Sequence, residues 1–185
     1  IKHVFLANVD PDIQLFLLKN MRSPEIVALD SMNYWIDSKR KSLLKLFKKV
    51  DIFLANDKEA SVLSGEPGVI KAAKSLQRMG PRMVLIKKGE HGSLFYDGKN
   101  LFSLPAYPSC NVIDPTGAGD TFAGGFMGYL SGSRRIKDKE IKLALAFGTV
   151  AASFNIEGFG LEASAKLDMR VLNKRLLCFR NQVVF

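Results

Sequence analysis

Short runs rich in β-branched and large apolar residues alternate with longer segments of helical period, and no other feature of the chain restricts its fold as much. The runs at 3–7, 26–30, 51–55 and 83–87 are separated by segments long enough to cross back over a sheet. That is the pattern of parallel strands joined by helices. Within 12–21, Ile13, Phe16, Leu17 and Met21 form one apolar stripe, and within 35–50, Ile36, Leu43, Phe47 and Val50 form another, so both segments read as crossover helices. A third helix is expected over 67–79, using Val69, Ile70, Ala73, Leu76 and Gln77, with Gly80 and Pro81 stopping it. Residues 93–96 and 101–104 flank the turn residues Asp97, Gly98, Lys99 and Asn100, which predicts a hairpin and adds antiparallel strands to the sheet. Helices over 119–131, 138–156 and 163–178 complete a reading of residues 1–185 as one α/β domain without internal repeats.

A chain of 185 residues with 47% hydrophobic and 24% charged content has the means to bury a core, which excludes a disordered tail or a coiled coil. No charge-free stretch reaches the roughly 18 residues that a bilayer span needs, so no membrane partner is expected. Cys110 and Cys178 lie far apart, outside any zinc-ligand spacing, and the expected setting is reducing and cytoplasmic. The net charge of +9 suits nucleic acid, anionic lipid and phosphorylated small molecules alike. The basic run Lys39, Arg40, Lys41, Lys45, Lys48 and Lys49 lies on a segment with a clean apolar stripe and no interleaved aromatic platform. It therefore reads as a solvated helix face, and no specific nucleic-acid partner is expected.

Chemistry concentrates in Asp114-Pro115-Thr116-Gly117-Ala118-Gly119-Asp120-Thr121-Phe122. Asn111, Val112 and Ile113 are expected to lead in as a strand, Pro115 keeps Asp114 extended, and the small residues 117–119 let the backbone turn closely into a helix. Unpaired amides then converge at the positive end of a helix dipole, where an anion such as phosphate is held. Asp120 is the odd element, a carboxylate in the first turn. It can simply complement the dipole, or it can take the proton of an attacking hydroxyl while the amides stabilise a transferring phosphoryl group. Asp114 reads as structural or as a cation neighbour. GxxxxGK[ST] and GxGxxG are both absent, which disfavours those nucleotide folds. Gly124, Gly125 and Gly128 cost helix stability and are expected to permit close packing.

Asn56-Asp57-Lys58-Glu59 follows the third apolar run with the spacing of a capping box. Gly89 and Gly92 lie three apart after Lys87 and Lys88 and read as a tight turn into the hairpin. The segment 143–156 is rich in Ala and Gly, which usually means close packing of a helix.

The stretch Asp114 to Thr121, continued by Phe122, Ala123, Gly124 and Gly125, resembles the C-terminal signature of the ribokinase-like carbohydrate kinases, the PfkB family. The resemblance extends over essentially all 185 residues. It implies a ribokinase-like three-layer α/β/α sandwich, with a mostly parallel sheet and an antiparallel hairpin, that lacks the family's N-terminal strands and lid. It also implies transfer of the γ-phosphoryl group of ATP to a hydroxyl of a sugar or nucleoside, with Mg2+ as cofactor. By resemblance Asp120 is the base and Gly117, Ala118 and Gly119 form the anion hole. The family's N-x-x-E motif falls on Asn56 and Glu59, the latter near magnesium through water. Nucleotide contacts fall at the turn with Gly89 and Gly92, where Lys87 or Lys88 meets phosphate, and Thr149 lies near the adenine. Asp114, Thr116, Asn155, Gly158 and Gly160 match a loop that in some members holds a monovalent cation such as K+. Position 115, often Thr in the family, is Pro here. With the sugar-binding half absent, the alternative is a catalytically inactive nucleotide-binding module. The edge of the sheet is then expected to be apolar or paired with another chain, as in a homodimer.

Overall fold

The computed structural model describes residues 2–133 and 135–183. The chain divides into two compact units, Ile1–Lys88 with Ser93–Ser103, and Gly89–Gly92 with Leu104–Phe185.

The first unit holds a six-stranded sheet in sequential order, β1 (His3–Leu6), β2 (Ile26–Asp30), β3 (Ile52–Asn56), β4 (Met83–Lys87), β5 (Ser93–Tyr96) and β6 (Leu101–Leu104). β1 to β4 are parallel, and β5 returns antiparallel to β4. The four parallel strands and the hairpin lie within a residue of the positions expected from the apolar runs. Val27, Leu29, Phe53, Ala55, Val84 and Ile86 alternate onto one face, where they pack against Ile36, Leu43, Phe47, Leu63, Ala73 and Leu76 of the crossover helices. On the other face Ala28, Ile52, Leu54 and Leu85 are equally buried, as expected of parallel strands that are apolar throughout.

Three helical expectations in the first unit need correction. In α1 (Pro11–Asn20) Ile13, Phe16 and Leu17 are exposed, while Leu15, Leu18 and the following Met21 pack on the core. The helix is apolar on several sides, and buried Gln14, which donates to the Ala7 carbonyl at 2.6 Å, fixes which side faces inward. The single helix expected over 35–50 is two, α2 (Asn33–Ser38) and α3 (Arg40–Phe47). The break falls at Lys39, whose φ is −129°, and its ammonium is held by Asp10 at 2.9 Å and Asp12 at 2.5 Å. The predicted stripe nevertheless buries Ile36, Leu43, Phe47 and Val50. α4 (Asp57–Ser64) and α5 (Val69–Arg78) follow, with Ala72 inward where Ile70 was expected.

The second unit is built on α6 (Ala118–Ser131), α7 (Asp138–Asn155) and α8 (Met169–Val183). α8 begins later than expected because Asp168 caps it, its carboxylate accepting from the Val171 amide at 2.8 Å. α6 and α7 approach closely at two glycines. A Cβ on Gly148 would lie 2.7 Å from the Phe122 carbonyl oxygen, and one on Gly125 would lie 2.9 Å from the Ala151 Cβ. Gly124 and Gly128 meet nothing within 4 Å, so the packing role expected of them belongs to Gly125 alone. α8 adds a small core in which Phe179 packs with Val150 and Phe154. There the Arg175 guanidinium lies 3.4 Å from the centre of the Phe154 ring and bonds both carboxylate oxygens of Glu157 at 3.0 and 2.9 Å.

Candidate active site

In the second unit the turn into α6 is set by side chain and backbone together. Residues 111–113 do not form the expected strand; instead the Ile113 and Asp114 amides donate to the Ile156 carbonyl at 2.7 and 3.3 Å. The end of α7 therefore takes the place of the expected sheet partner. Asp114 Oδ1 accepts from the Thr116 amide at 2.9 Å. This bond, with a further one from the Thr116 side chain, holds the Asp114 carboxyl below its ordinary value. Gly117 sits at φ 79°, which admits glycine far more readily than other residues, and it caps α6.

The amides of this turn divide by use. Ala118 donates to the Pro115 carbonyl at 3.2 Å and Thr121 to the Gly117 carbonyl at 2.9 Å. Gly119 and Asp120 are the second and third residues of the helix, and their amides have no acceptor within it. The Asp120 side chain is exposed on the same first turn. A carboxylate and two donors thus share one helix start, reachable from solvent. The arrangement suits binding of an anion next to a proton acceptor.

Asn155, at the end of α7, ties this turn in place and is 1% exposed. Its Oδ1 accepts from Thr121 Oγ1 at 2.6 Å, and its Nδ2 donates to the carbonyls of Thr116 at 3.3 Å and Gly160 at 3.2 Å. Asp114, Thr116, Asn155 and Gly160 are therefore brought together, with two carbonyl oxygens converging on one nitrogen and each keeping a lone pair. Gly158 packs on Ala163 nearby in sequence. Thr149 is buried within α7, next to the glycine that contacts Phe122. Gly89 and Gly92 take positive φ of 55° and 80°, and a Cβ on Gly92 would meet the Leu104 carbonyl oxygen at 2.0 Å, so the turn tolerates no side chain there.

In the first unit the carboxyl ends of the strands turn polar on one face. Ile26, Ala28 and Asp30 alternate with Ile52, Leu54 and Asn56, and with Met83, Leu85 and Lys87, in register. Such ends are where open α/β sheets bind ligands. Asn56 and Glu59 form a complete capping box, each side chain accepting the other's amide at 2.8 Å, and Glu59 is buried. Lys87 Nζ lies 2.5 Å from Asp30 Oδ2, with side-chain exposures of 15% and 7%. Asp30 escaped the sequence reading, although its place at the end of the apolar run Ile-Val-Ala-Leu was a signal. Among the described residues no three His, Cys, Asp or Glu side chains gather in a metal-holding group.

The profile described as pfkB family carbohydrate kinase matches residues 17–167. Cytidine kinase of Thermococcus kodakarensis is 34% identical over 137 residues, which is 72% of this chain and 49% of that protein. Ribokinase of Staphylococcus aureus is 33% identical over 128 residues, 66% of this chain and 40% of that one. The crystal structure of ribokinase from Thermotoga maritima superposes with a TM-score of 0.74 at 25% identity, over 97% of this chain and 57% of its own. The chain spans half or less of the length of these curated relatives. Its fold is that of ribokinase, an α/β arrangement on a mostly parallel sheet with an antiparallel hairpin. With most of its length matched and the signature segment at the start of α6, the chain belongs to the pfkB family of carbohydrate kinases.

Proposed function

We propose that the protein transfers the γ-phosphoryl group of ATP to a hydroxyl of a sugar or nucleoside, with residues 1–185 supplying the nucleotide-binding and catalytic half of a kinase domain. The observation that carries this reading is the start of α6, where the exposed Asp120 carboxylate accompanies two amides that have no acceptor within the helix. Asp120 accepts the proton of the attacking hydroxyl. The hydroxyl oxygen bonds to the γ-phosphorus as the bond to the β,γ-bridging oxygen breaks, and ADP leaves. The amides of Gly119 and Asp120 stabilise charge on the phosphoryl oxygens, while Gly117 and Ala118 shape the turn that aims them.

Magnesium, when bound, neutralises charge on the β- and γ-phosphates. Glu59 orients its water and Asn56 holds Glu59, which accounts for a capping box with a buried carboxylate. Lys87, Gly89 and Gly92 contact phosphate and Thr149 borders the adenine. The carbonyls of Thr116 and Gly160, ordered by Asn155, together with Asp114 and Gly158, suit a monovalent cation such as potassium. A second reading, expected from the same resemblance, is a nucleotide-binding module without turnover. Both readings meet in one assay on the complete open reading frame encoding this chain, with Mg-ATP and a panel of pentoses, hexoses and nucleosides. Phosphorylation of at least one acceptor is expected. ATP binding with no transfer to any of them would establish the second reading instead.

A further inference from the structure

Lys87 ends β4 and Asp30 ends β2, and β3 lies between these strands. The lysine side chain therefore crosses the end of β3, where Asn56 is its register partner, to reach the carboxylate. A pair this buried is costly to desolvate and adds little stability over apolar residues of similar size. Its retention at the ligand-binding end of a parallel sheet calls for another use. Asp30 is held in turn, its Oδ1 accepting from the Ser31 amide at 3.0 Å, so the ammonium is fixed to a carboxylate that is itself oriented. On the same face, directly across from Lys87 in β5, Ser93 is 2% exposed and its hydroxyl has no hydrogen-bond partner among the described residues. A buried hydroxyl left unmatched by the protein is rare and points to a polar atom arriving from outside.

We propose that Asp30 is a positioning residue: it fixes the Lys87 ammonium at the strand ends so that the lysine, with the Ser93 hydroxyl, receives a phosphate oxygen of the nucleotide. The inference rests on the kinase reading and adds to it the residue that aims the lysine. The test is titration of this chain with Mg-ATP, following affinity by calorimetry and the Lys87 side-chain 15N resonance by NMR. In the unaltered chain the resonance shifts on saturation. Asp30→Asn weakens Mg-ATP by roughly tenfold, about the worth of one charge-assisted hydrogen bond, and Asp30→Glu recovers part of the loss. Because Asp30→Asn alone leaves a buried cation without its counter-charge, the double variant Asp30→Asn with Lys87→Met serves as the folded control; it is expected to melt near the parent temperature yet bind Mg-ATP as weakly. A double variant that binds as tightly as the parent, or a Lys87 resonance that does not move on saturation, overturns the proposal and leaves the kinase reading standing. A parent chain that binds no Mg-ATP refutes the nucleotide reading, and the proposal with it.

Discussion

Asn155 shows how much of a site one buried side chain can hold. Its amide oxygen and nitrogen reach the first turn of α6, the residue before Gly117 and the loop at Gly160. Replacing it by Leu would strand the Thr121 hydroxyl and two carbonyls, each costing about 1–3 kcal/mol if buried without a partner. We expect Asn155→Leu to destabilise the protein by about 3 kcal/mol in urea unfolding. An unchanged unfolding free energy would show that the hydrogen bonds of Asn155 contribute nothing to stability. At this scale the sequence was informative wherever chemistry and spacing coincide, as in Asn56 and Glu59 or Asp114 and Asp120. It was silent on Asp30 with Lys87 and on Glu157 with Arg175, because those partners lie 57 and 18 residues apart and meet only through the fold.

Elements were legible where a period is unambiguous. The parallel strands and the hairpin are short apolar runs bounded by turn residues, and the structure follows them closely. α1 misled because apolar residues occupy several of its sides, so periodicity alone does not choose the inward one, and a buried glutamine decides it. The break falls at Lys39, whose ammonium pairs with Asp10 and Asp12, contacts that the local pattern does not contain. Close packing of α6 on α7 gives a sharp contrast between glycines. Gly148→Ala would drive a methyl into the Phe122 carbonyl and ring and should destabilise by about 1–3 kcal/mol. Gly124→Ala, on an exposed side with open space, should stabilise by roughly 0.5–1 kcal/mol through helix propensity. Thermal unfolding of the two variants checks both signs; a shift in the same direction would mean that the helices do not meet where these distances place them.

For the whole molecule, the family is evident in both sequence and fold, while the acceptor is set by neither. The chain covers 49% of the Thermococcus cytidine kinase and 40% of the Staphylococcus ribokinase, two relatives whose names carry different acceptors. In the first unit α1 turns Ile13, Phe16 and Leu17 outward. The proposed proton acceptor is Asp120, exposed in the first turn of α6. The direct measurement is steady-state phosphoryl transfer from Mg-ATP by the complete open reading frame, before and after Asp120→Asn, alongside nucleotide affinity. Turnover should fall by roughly 10²–10⁴-fold, the usual worth of a positioned base, with Mg-ATP affinity within a few-fold of the parent. Turnover unchanged by the substitution would contradict the assignment of Asp120 as the base.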